Sequence, residues 1–243
     1  IPEHHVMRFN ELSAMHAAYA AGVAPAVKYA EPSVTVLDFV DSHTLTAEDV
    51  RAPEMLPRIV DLVKRCHRDA PKHLRGPALI FWVFHVIRDY GATLAERQSP
   101  HGPLIDELVS LGNSLEEAAG PFDMVFGHND LLAANLLDDG TRLWLIDYDY
   151  AGFNSPLFDL GGLASNNGLS EAQEVACLEQ YFEAPVTGDL LHRYAAMKCA
   201  SLLRETMWSM VSELTSELDF DYAAYTAENL AAFRQSHTDF LTM

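Results

Sequence analysis

The chain has 243 residues, of which 49% are hydrophobic and 21% charged, a composition ordinary for a globular protein with a sizeable core. Its 16 Lys and Arg against 35 Asp and Glu give a formal net charge of -19. This charge argues against nucleic acid as a partner, because phosphate backbones are bound by clustered basic residues. A cationic small substrate and a solvated acidic surface both remain compatible with it.

No stretch of the sequence approaches the roughly 20 apolar residues of a membrane helix. The start, IPEHH, has neither the basic nor the apolar region of a signal peptide. We therefore expect no membrane association and a cytoplasmic protein. The composition leaves the oligomeric state open.

The front of the chain mixes helix and strand. Residues 9–21 predict a helix, which Gly22 and Pro25 end. Two short apolar runs, 26–30 and 34–40, then predict two strands joined by a turn.

Beyond Thr46 the pattern changes to helical periodicity, interrupted by one group of short strands. The predicted helices cover residues 55–67, 78–96, 103–119, about 170–182, 190–214 and 222–240. The predicted strands cover residues 124–126, 134–137 and 143–146, with the turn DDGT at 138–141 joining the last two as a hairpin. These elements indicate one helical unit behind a small extended segment.

The most informative stretch reads FGHNDLLAANLL over residues 126–137, followed by LIDYDY over 145–150. It fits the pattern H-x-D-L-x-x-x-N of kinase catalytic loops, with a metal-binding Asp one hairpin later. In phosphoryl transfer a carboxylate orients the acceptor hydroxyl and takes its proton, a role that suits Asp130. Mg²⁺ prefers hard oxygen ligands, which the Asn135 amide and the Asp147 carboxylate supply.

Asp130 and Asn135 could instead be turn or cap residues, and Asp147 an acid on an edge strand. The shared register of His128, Asp130, Leu131, Asn135 and Asp147 on a strand, loop and hairpin favours the catalytic interpretation.

Three neighbouring residues have less direct roles. We expect His128 to support the loop rather than react. Asp149 alternates in the same direction as Asp147 along an extended chain, so it is either a further metal or water ligand or a solvated acid. Asp159 is expected to anchor the loop by hydrogen bonds rather than bind metal.

The residues from 128–130 through 147–152 and on to 158–160 resemble the choline/ethanolamine kinase family, in its bacterial form, within the wider aminoglycoside phosphotransferase-like group. RETMW at 204–208 and DFDYAAY at 219–225 are similar to the C-terminal helices that help line the choline pocket in that family. The likeness runs from about residue 1 to residue 233.

The resemblance implies an α+β fold of the protein-kinase-like, two-lobe type, with a mostly helical C-lobe that carries a small catalytic β-hairpin. Residues 1–45 would be the remnant of the N-terminal nucleotide-binding lobe and hinge, and residues 46–243 the catalytic and substrate lobe. The N-lobe is expected to be incomplete, because no Gly-rich phosphate loop and no strand Lys or Arg precedes Glu11.

Carried over by position, the resemblance implies Asp130 as the base and Asn135 and Asp147 as magnesium ligands, with Asp149 where the family usually has Glu. The nucleotide positions are at the front of the chain. Glu11 falls where a helix acid pairs with a strand Lys or Arg, and Asp38 and Val40 fall where the hinge backbone meets adenine.

The resemblance also implies a substrate pocket lined by aromatic residues. Tyr150, Trp208 and Tyr225 match aromatic positions of that pocket in the family. Ring faces hold a quaternary ammonium by cation–π contact, although a ring on a helix can equally be plain core. Two residues depart from the family. Glu205 replaces a second Trp, which would make the pocket more acidic, and Asn166 stands where a carboxylate is usual.

The implied function is an ATP- and Mg²⁺-dependent kinase that phosphorylates the hydroxyl of a small amino alcohol, choline or ethanolamine. Two other functions stay open. One is an aminoglycoside or other hydroxyl phosphotransferase of the same fold, and the other is a non-catalytic nucleotide- or amine-binding pseudokinase.

Overall fold

The computed structural model describes residues 4–32 and 34–243, and there it combines long helices with small antiparallel sheets. The predicted α+β class is therefore confirmed. The chain divides into two compact units: the described residues of 6–81 and 123–186 form one, and residues 4–5, 82–122 and 187–243 belong to the other. We call them the catalytic-loop unit and the helical unit. The lobe boundary predicted at residue 45 stays a prediction.

The catalytic-loop unit begins with helix α1, Arg8–Ala20, which gives way to Gly22 at a φ of 71°. Strands β1, Val27–Glu31, and β2, Val34–Leu37, follow as an antiparallel pair. All three elements were predicted. The turn predicted between the strands includes Ser33, which lies outside the described residues.

Two helices follow this strand pair in the chain. Helix α2, Ala47–Val50, was not predicted, although Thr46 and Asp49 form a capping box at its start. Helix α3, Met55–Asp69, was predicted and is amphipathic. Its buried side carries Leu56, Ile59, Val60, Leu62, Val63, Cys66 and His67.

Residues 78–82 were predicted as the start of a helix, and this is wrong. Phe153 N–H donates to the Leu79 carbonyl and Phe81 N–H donates to the Phe153 carbonyl, both over 2.9 Å. The segment is therefore extended, and helix α4 begins only at Val83. The reason is a pairing with a residue more than seventy positions away, which overrides the local helical periodicity.

The remaining short strands form two further sheets. One has the order β3, β5, β6, and the other pairs β4 with β7, with all pairings antiparallel. The strands are β3 His43–Thr44, β4 Val125–Gly127, β5 Leu136–Asp138, β6 Leu143–Leu145 and β7 Gly152–Asn154. The predicted hairpin is confirmed as β5–β6, with Leu136 opposite Leu145.

Helix α6, Pro156–Asn167, is almost wholly buried and was not predicted. Its ends carry clear signals, because Ser155 caps the Leu157 N–H, Pro156 is the first helical residue, and Gly168 has left-handed backbone at the end. Helix α7, Glu171–Phe182, completes this unit and was predicted.

The helical unit consists of α4, Val83–Glu96, α5, Gly102–Ala119, α8, Gly188–Thr215, and α9, Tyr222–Leu241. Helix α8 packs against the other three. No helix among the described residues is long and apolar enough to cross a membrane.

A glycine in α4 sets how closely α5 can approach it. A Cβ at Gly91 would lie 2.7 Å from Val109 Cγ2, and Val109 is stiff at χ1. We expect Gly91→Ala to lower the free energy of unfolding by about 1–3 kcal/mol, because an added methyl overpacks this contact. Urea unfolding would measure it. Gly188→Ala, where nothing lies within 4 Å of the added Cβ, is the control and should not destabilise the protein.

Candidate active site

The loop after β4 is held by a buried carboxylate from α6. The backbone N–H of His128 donates to Asp159 Oδ2 over 2.8 Å, and that of Asn129 donates to Asp159 Oδ1 over 2.6 Å. Asn129 has a φ of 67°, a left-handed conformation that Asn tolerates better than most residues. The predicted role of Asp159 as a loop anchor is confirmed.

The Asn129 side chain joins this loop to the segment after β6. Its Nδ2 donates to the carbonyls of Tyr150 and Gly152 over 2.9 and 3.2 Å, and its Oδ1 accepts from Asn154 Nδ2 over 3.2 Å. In α1, Asn10 Nδ2 donates to the Ala151 carbonyl over 2.7 Å. Sequence reasoning missed these bridges, because their partners lie on other elements of the chain.

Hydrogen bonds connect Asn135 to the backbone of Asp130 and to Ile146, the residue before Asp147. Asn135 Nδ2 donates to the Asp130 carbonyl over 3.0 Å, which orients the amide oxygen that a cation would need. Ile146 N–H donates to the Asn135 carbonyl over 3.0 Å, so Asp147 comes directly after a residue bonded to Asn135. Asp147 itself is exposed, with a φ of 66°.

His128 supports the loop from beneath. It is buried, its Nε2 donates to the Ile146 carbonyl over 2.9 Å, and its ring meets Tyr148 edge-on with centroids 4.9 Å apart. Burial lowers the pKa of His128 below its usual value, even though the nearby Asp159 charge acts to raise it. A neutral, bonded ring fits the supporting role that we expected.

The lowered pKa of His128 predicts acid sensitivity. Its folded pKa lies below the unfolded value of 6.5, so its contribution to stability is present above pH 6.5 and is lost as the pH falls below it. The expected loss approaches about 1.4 kcal/mol per pH unit for this one proton. Denaturant unfolding of wild type and His128→Gln from pH 7 downward would measure it. An equal pH slope in both proteins would contradict the prediction.

The carboxylates of Asp149 and Glu11 both form ion pairs with the guanidinium of Arg8. Arg8 Nη1 lies 2.5 Å from Glu11 Oε2 and 2.8 Å from Asp149 Oδ1. The pKa of Asp149 is raised, first by burial and then by the negative charges of Asp147 and Glu11. The resemblance implied a strand Lys or Arg as the partner of Glu11. In this structure the partner is Arg8, three residues earlier in the same helix, which sequence reasoning overlooked.

The oxygen-bearing side chains fit a magnesium ion. Among residues 4–32 and 34–243 no three His, Cys, Asp or Glu side chains are grouped to hold a metal by themselves. Mg²⁺ typically takes one or two carboxylates and completes its shell with water and substrate phosphates. An amide oxygen on Asn135 and the neighbouring carboxylates of Asp147 and Asp149 match that requirement.

The residues predicted for the adenine site lie after β2. The Asp38 side chain forms an exposed ion pair with Lys28 over 2.8 Å, and its backbone N–H donates to the Ala26 carbonyl. The Val40 carbonyl accepts from Ser42 Oγ over 3.1 Å. Their role toward a nucleotide stays a prediction.

The residues predicted for the substrate pocket are divided between the two units. Tyr150 belongs to the catalytic-loop unit, where its ring meets Phe81 edge-on, centroids 6.0 Å apart. In the helical unit Trp208 is half-buried, and its ring centroid lies 4.9 Å from that of His4. Asn166 is exposed near the end of α6.

Both oxygens of Glu205 are engaged within the helical unit. Tyr225 Oη donates to Oε1 and Arg204 Nη1 donates to Oε2, each over 2.8 Å. Burial, followed by the Glu205 charge, raises the pKa of Tyr225, so the phenol remains a donor. Arg204 therefore lies against Glu205 as a countercharge, and the more acidic pocket stays a prediction.

The fold is shared with kinase-like phosphotransferases. A GDP complex of aminoglycoside 2'-phosphotransferase-IIIa aligns with a TM-score of 0.64 at 13% identity, covering 95% of this chain and 82% of that one. A LicA structure in complex with AMP aligns at 0.71 and 20% identity, covering 95% and 80%. A choline/ethanolamine kinase family protein from Mesorhizobium loti aligns at 0.82 and 24% identity, also covering 95% and 80%.

The sequence profile of the choline/ethanolamine kinase family matches residues 3–182, and the chain therefore belongs to that family. An ethanolamine kinase from Drosophila melanogaster is 25% identical over 260 residues, which cover 91% of this chain. The chain spans about half of that relative, 49% of its length.

Proposed function

We propose that the chain carries the catalytic site of an ATP-dependent kinase that transfers the γ-phosphoryl group to the primary hydroxyl of choline or ethanolamine. The observation that carries this proposal is the hydrogen bonding of Asn135 to the Asp130 backbone and to Ile146, the residue immediately before Asp147. The family membership gives the reaction class, because its members named above include a kinase of ethanolamine.

In this proposal Asp130 accepts the hydroxyl proton of the amino alcohol and orients its oxygen toward the phosphorus. Asn135 and Asp147 would hold Mg²⁺, with Asp149 as a further ligand or a ligand to its water. The ion would offset charge on the transferring phosphoryl group. Two features hold Asp130 and Asn135 before substrate arrives: the Asn135 bond to the Asp130 backbone and the Asp159 bonds to the two residues before Asp130.

Nucleotide binding is supported by the AMP and GDP complexes of two structural neighbours. We propose that Asp38 and Val40 contact adenine through their backbone, since the Asp38 side chain is taken up by Lys28. Glu11, held by Arg8, would stand on the phosphate side of the nucleotide. Residues 1–45 and 46–243 would then act as the two lobes.

For the acceptor we propose recognition of the amine by Glu205, Trp208 and Tyr225 of the helical unit, while the role of Tyr150 stays a prediction. Aromatic faces suit the trimethylammonium of choline, because this cation has no N–H to donate. A primary ammonium donates three hydrogen bonds and suits a carboxylate such as Glu205. The existing bonds of Glu205 to Arg204 and Tyr225 would have to be shared with it.

The test is turnover with a panel of acceptors. Purified protein with ATP and Mg²⁺ should phosphorylate choline, ethanolamine or both, and ³¹P NMR would detect the phosphomonoester. Exclusive turnover of an aminoglycoside or another hydroxyl compound would refute the amino-alcohol assignment and leave the reaction class in place. Tight nucleotide binding without turnover of any acceptor would indicate a pseudokinase instead.

A further inference from the structure

A buried polar chain lies beneath the loop that carries Asp130. It joins His67 of α3, Asp159 of α6 and Tyr181 of α7, all within the catalytic-loop unit. His67 Nε2 lies 2.8 Å from Asp159 Oδ2, and His67 Nδ1 lies 2.8 Å from Tyr181 Oη. The side chains of His67 and Asp159 are 0% and 1% exposed.

The direction of these bonds follows from chemistry. An ionised carboxylate only accepts, so His67 Nε2 carries the proton and donates to Asp159. In a neutral ring Nδ1 then accepts, and the Tyr181 hydroxyl donates to it. Burial raises the pKa of Tyr181, which keeps that hydroxyl protonated. The hydrogen bond from Tyr181 therefore favours the His67 tautomer with its proton on Nε2, the nitrogen that lies next to Asp159.

Asp159 connects His67 to the loop after β4 by hydrogen bonds. Its Oδ2 accepts from both His67 Nε2 and the His128 N–H, while Oδ1 accepts from the Asn129 N–H. Burial alone would raise the pKa of Asp159, but interactions with His67 and His128, including the His67 hydrogen bond and the His128 N–H, lower it. An ionised Asp159 can accept all three bonds, whose geometry fixes the two residues immediately before Asp130.

We propose that His67 is a positioning residue for catalysis: it holds Asp159 in the orientation that places the His128–Asn129 backbone, and hence the Asp130 carboxylate. This inference rests on the proposed function of Asp130. His67 lies in α3, outside every sequence motif described above. Its proposed effect on turnover is exerted wholly through Asp159. A purely structural role for the same bond would instead affect the stability of the whole unit.

Two substitutions at His67 separate its two bonds. Gln places an amide nitrogen near the position of Nε2, so His67→Gln retains a donor to Asp159 and loses the Tyr181 contact. Asn reaches only to the position of Nδ1, so His67→Asn retains the Tyr181 side and loses the bond to Asp159. Both replacements are neutral and smaller than His. His101→Gln, which removes a part-buried bond to Glu213 in the helical unit, controls for loss of a histidine.

The measurements are steady-state kinetics and amide hydrogen exchange on the whole chain. We expect His67→Asn to lower kcat by about 10- to 100-fold with KM for both substrates within about threefold, because a misplaced base weakens only the chemical step. Exchange in peptides covering residues 126–132 should accelerate, while α8 exchanges as in wild type. His67→Gln and His101→Gln should keep wild-type loop exchange and kcat within about threefold.

Equal behaviour of the Gln and Asn variants at position 67 would overturn the proposal. So would an unfolded His67→Asn beside a folded His67→Gln, since the bond would then serve stability. Should wild type phosphorylate no amino alcohol, the proposed function fails, yet the exchange comparison still decides the role of His67. Unchanged exchange of residues 126–132 in His67→Asn would show that His67 does not hold the loop.

Discussion

Asp130→Asn is expected to lower kcat by about 10²-fold or more, with KM for ATP within about threefold of wild type. Asn keeps the size of the side chain, so the backbone contacts of residue 130 to Leu132 and Asn135 persist. What is lost is the carboxylate that accepts the hydroxyl proton in the proposed mechanism. A coupled assay of ADP release at saturating amino alcohol would measure the effect.

Asp123→Asn is a suitable control, because Asp123 is an exposed carboxylate just before β4. It should retain wild-type kcat, which excludes a general effect of removing one negative charge from this acidic chain. Wild-type turnover by Asp130→Asn would remove Asp130 from the mechanism.

Asp147→Asn should be nearly as damaging, with kcat lower by on the order of 10²-fold at ordinary Mg²⁺ concentration. An amide oxygen carries no charge, so the cation is held more weakly while the shape of the site is kept. Raising Mg²⁺ should therefore restore part of the lost activity. The measurement is kcat against Mg²⁺ concentration at fixed ATP.

Asp149→Asn gives the matched comparison for Asp147→Asn. Asp149 already pairs with Arg8, so its loss should shift the Mg²⁺ dependence in the same direction by a smaller factor. If the Mg²⁺ dependence of Asp147→Asn were unchanged despite a low kcat, Asp147 would not be a metal ligand. A shift in Asp149→Asn alone would assign the metal to Asp149 instead.

The sequence carried enough information for most of the fold, because long helices reveal themselves by local periodicity. Helices α3, α5, α7, α8 and α9 were predicted close to their observed bounds. The β5–β6 hairpin was also predictable, since the DDGT turn and its flanking apolar runs are local signals. The start of α4 was wrong because residues 79–81 pair with Phe153, a contact that no local window contains.

The candidate site was predictable where the motif spacing alone defines it, at residues 130, 135 and 147. The supporting network was not. Asn129, Arg8 and His67 act through partners on distant elements, and their spacing from those partners has no fixed value. The missed helix α6 is different, because Ser155, Pro156 and Gly168 mark its ends and could have been used.

The residues predicted for the substrate pocket show another limit of motif reasoning. Glu205 was interpreted from the residue that it replaces, which suggested a more acidic pocket. Its actual charge environment depends on Arg204, its neighbour in the chain, and on Tyr225 of the next helix. The charge around one position cannot be derived from its residue type alone, because it also depends on the side chains that contact that residue.

The most direct test is a crystal structure of the protein with Mg²⁺ and a non-hydrolysable ATP analogue. The predicted result is a cation bound by Asn135 Oδ1 and the Asp147 carboxylate at about 2.1 Å, with the Asp130 carboxylate facing the terminal phosphate. A cation and phosphates bound away from these side chains, or an Asp130 carboxylate turned from the phosphate, would contradict the proposed site.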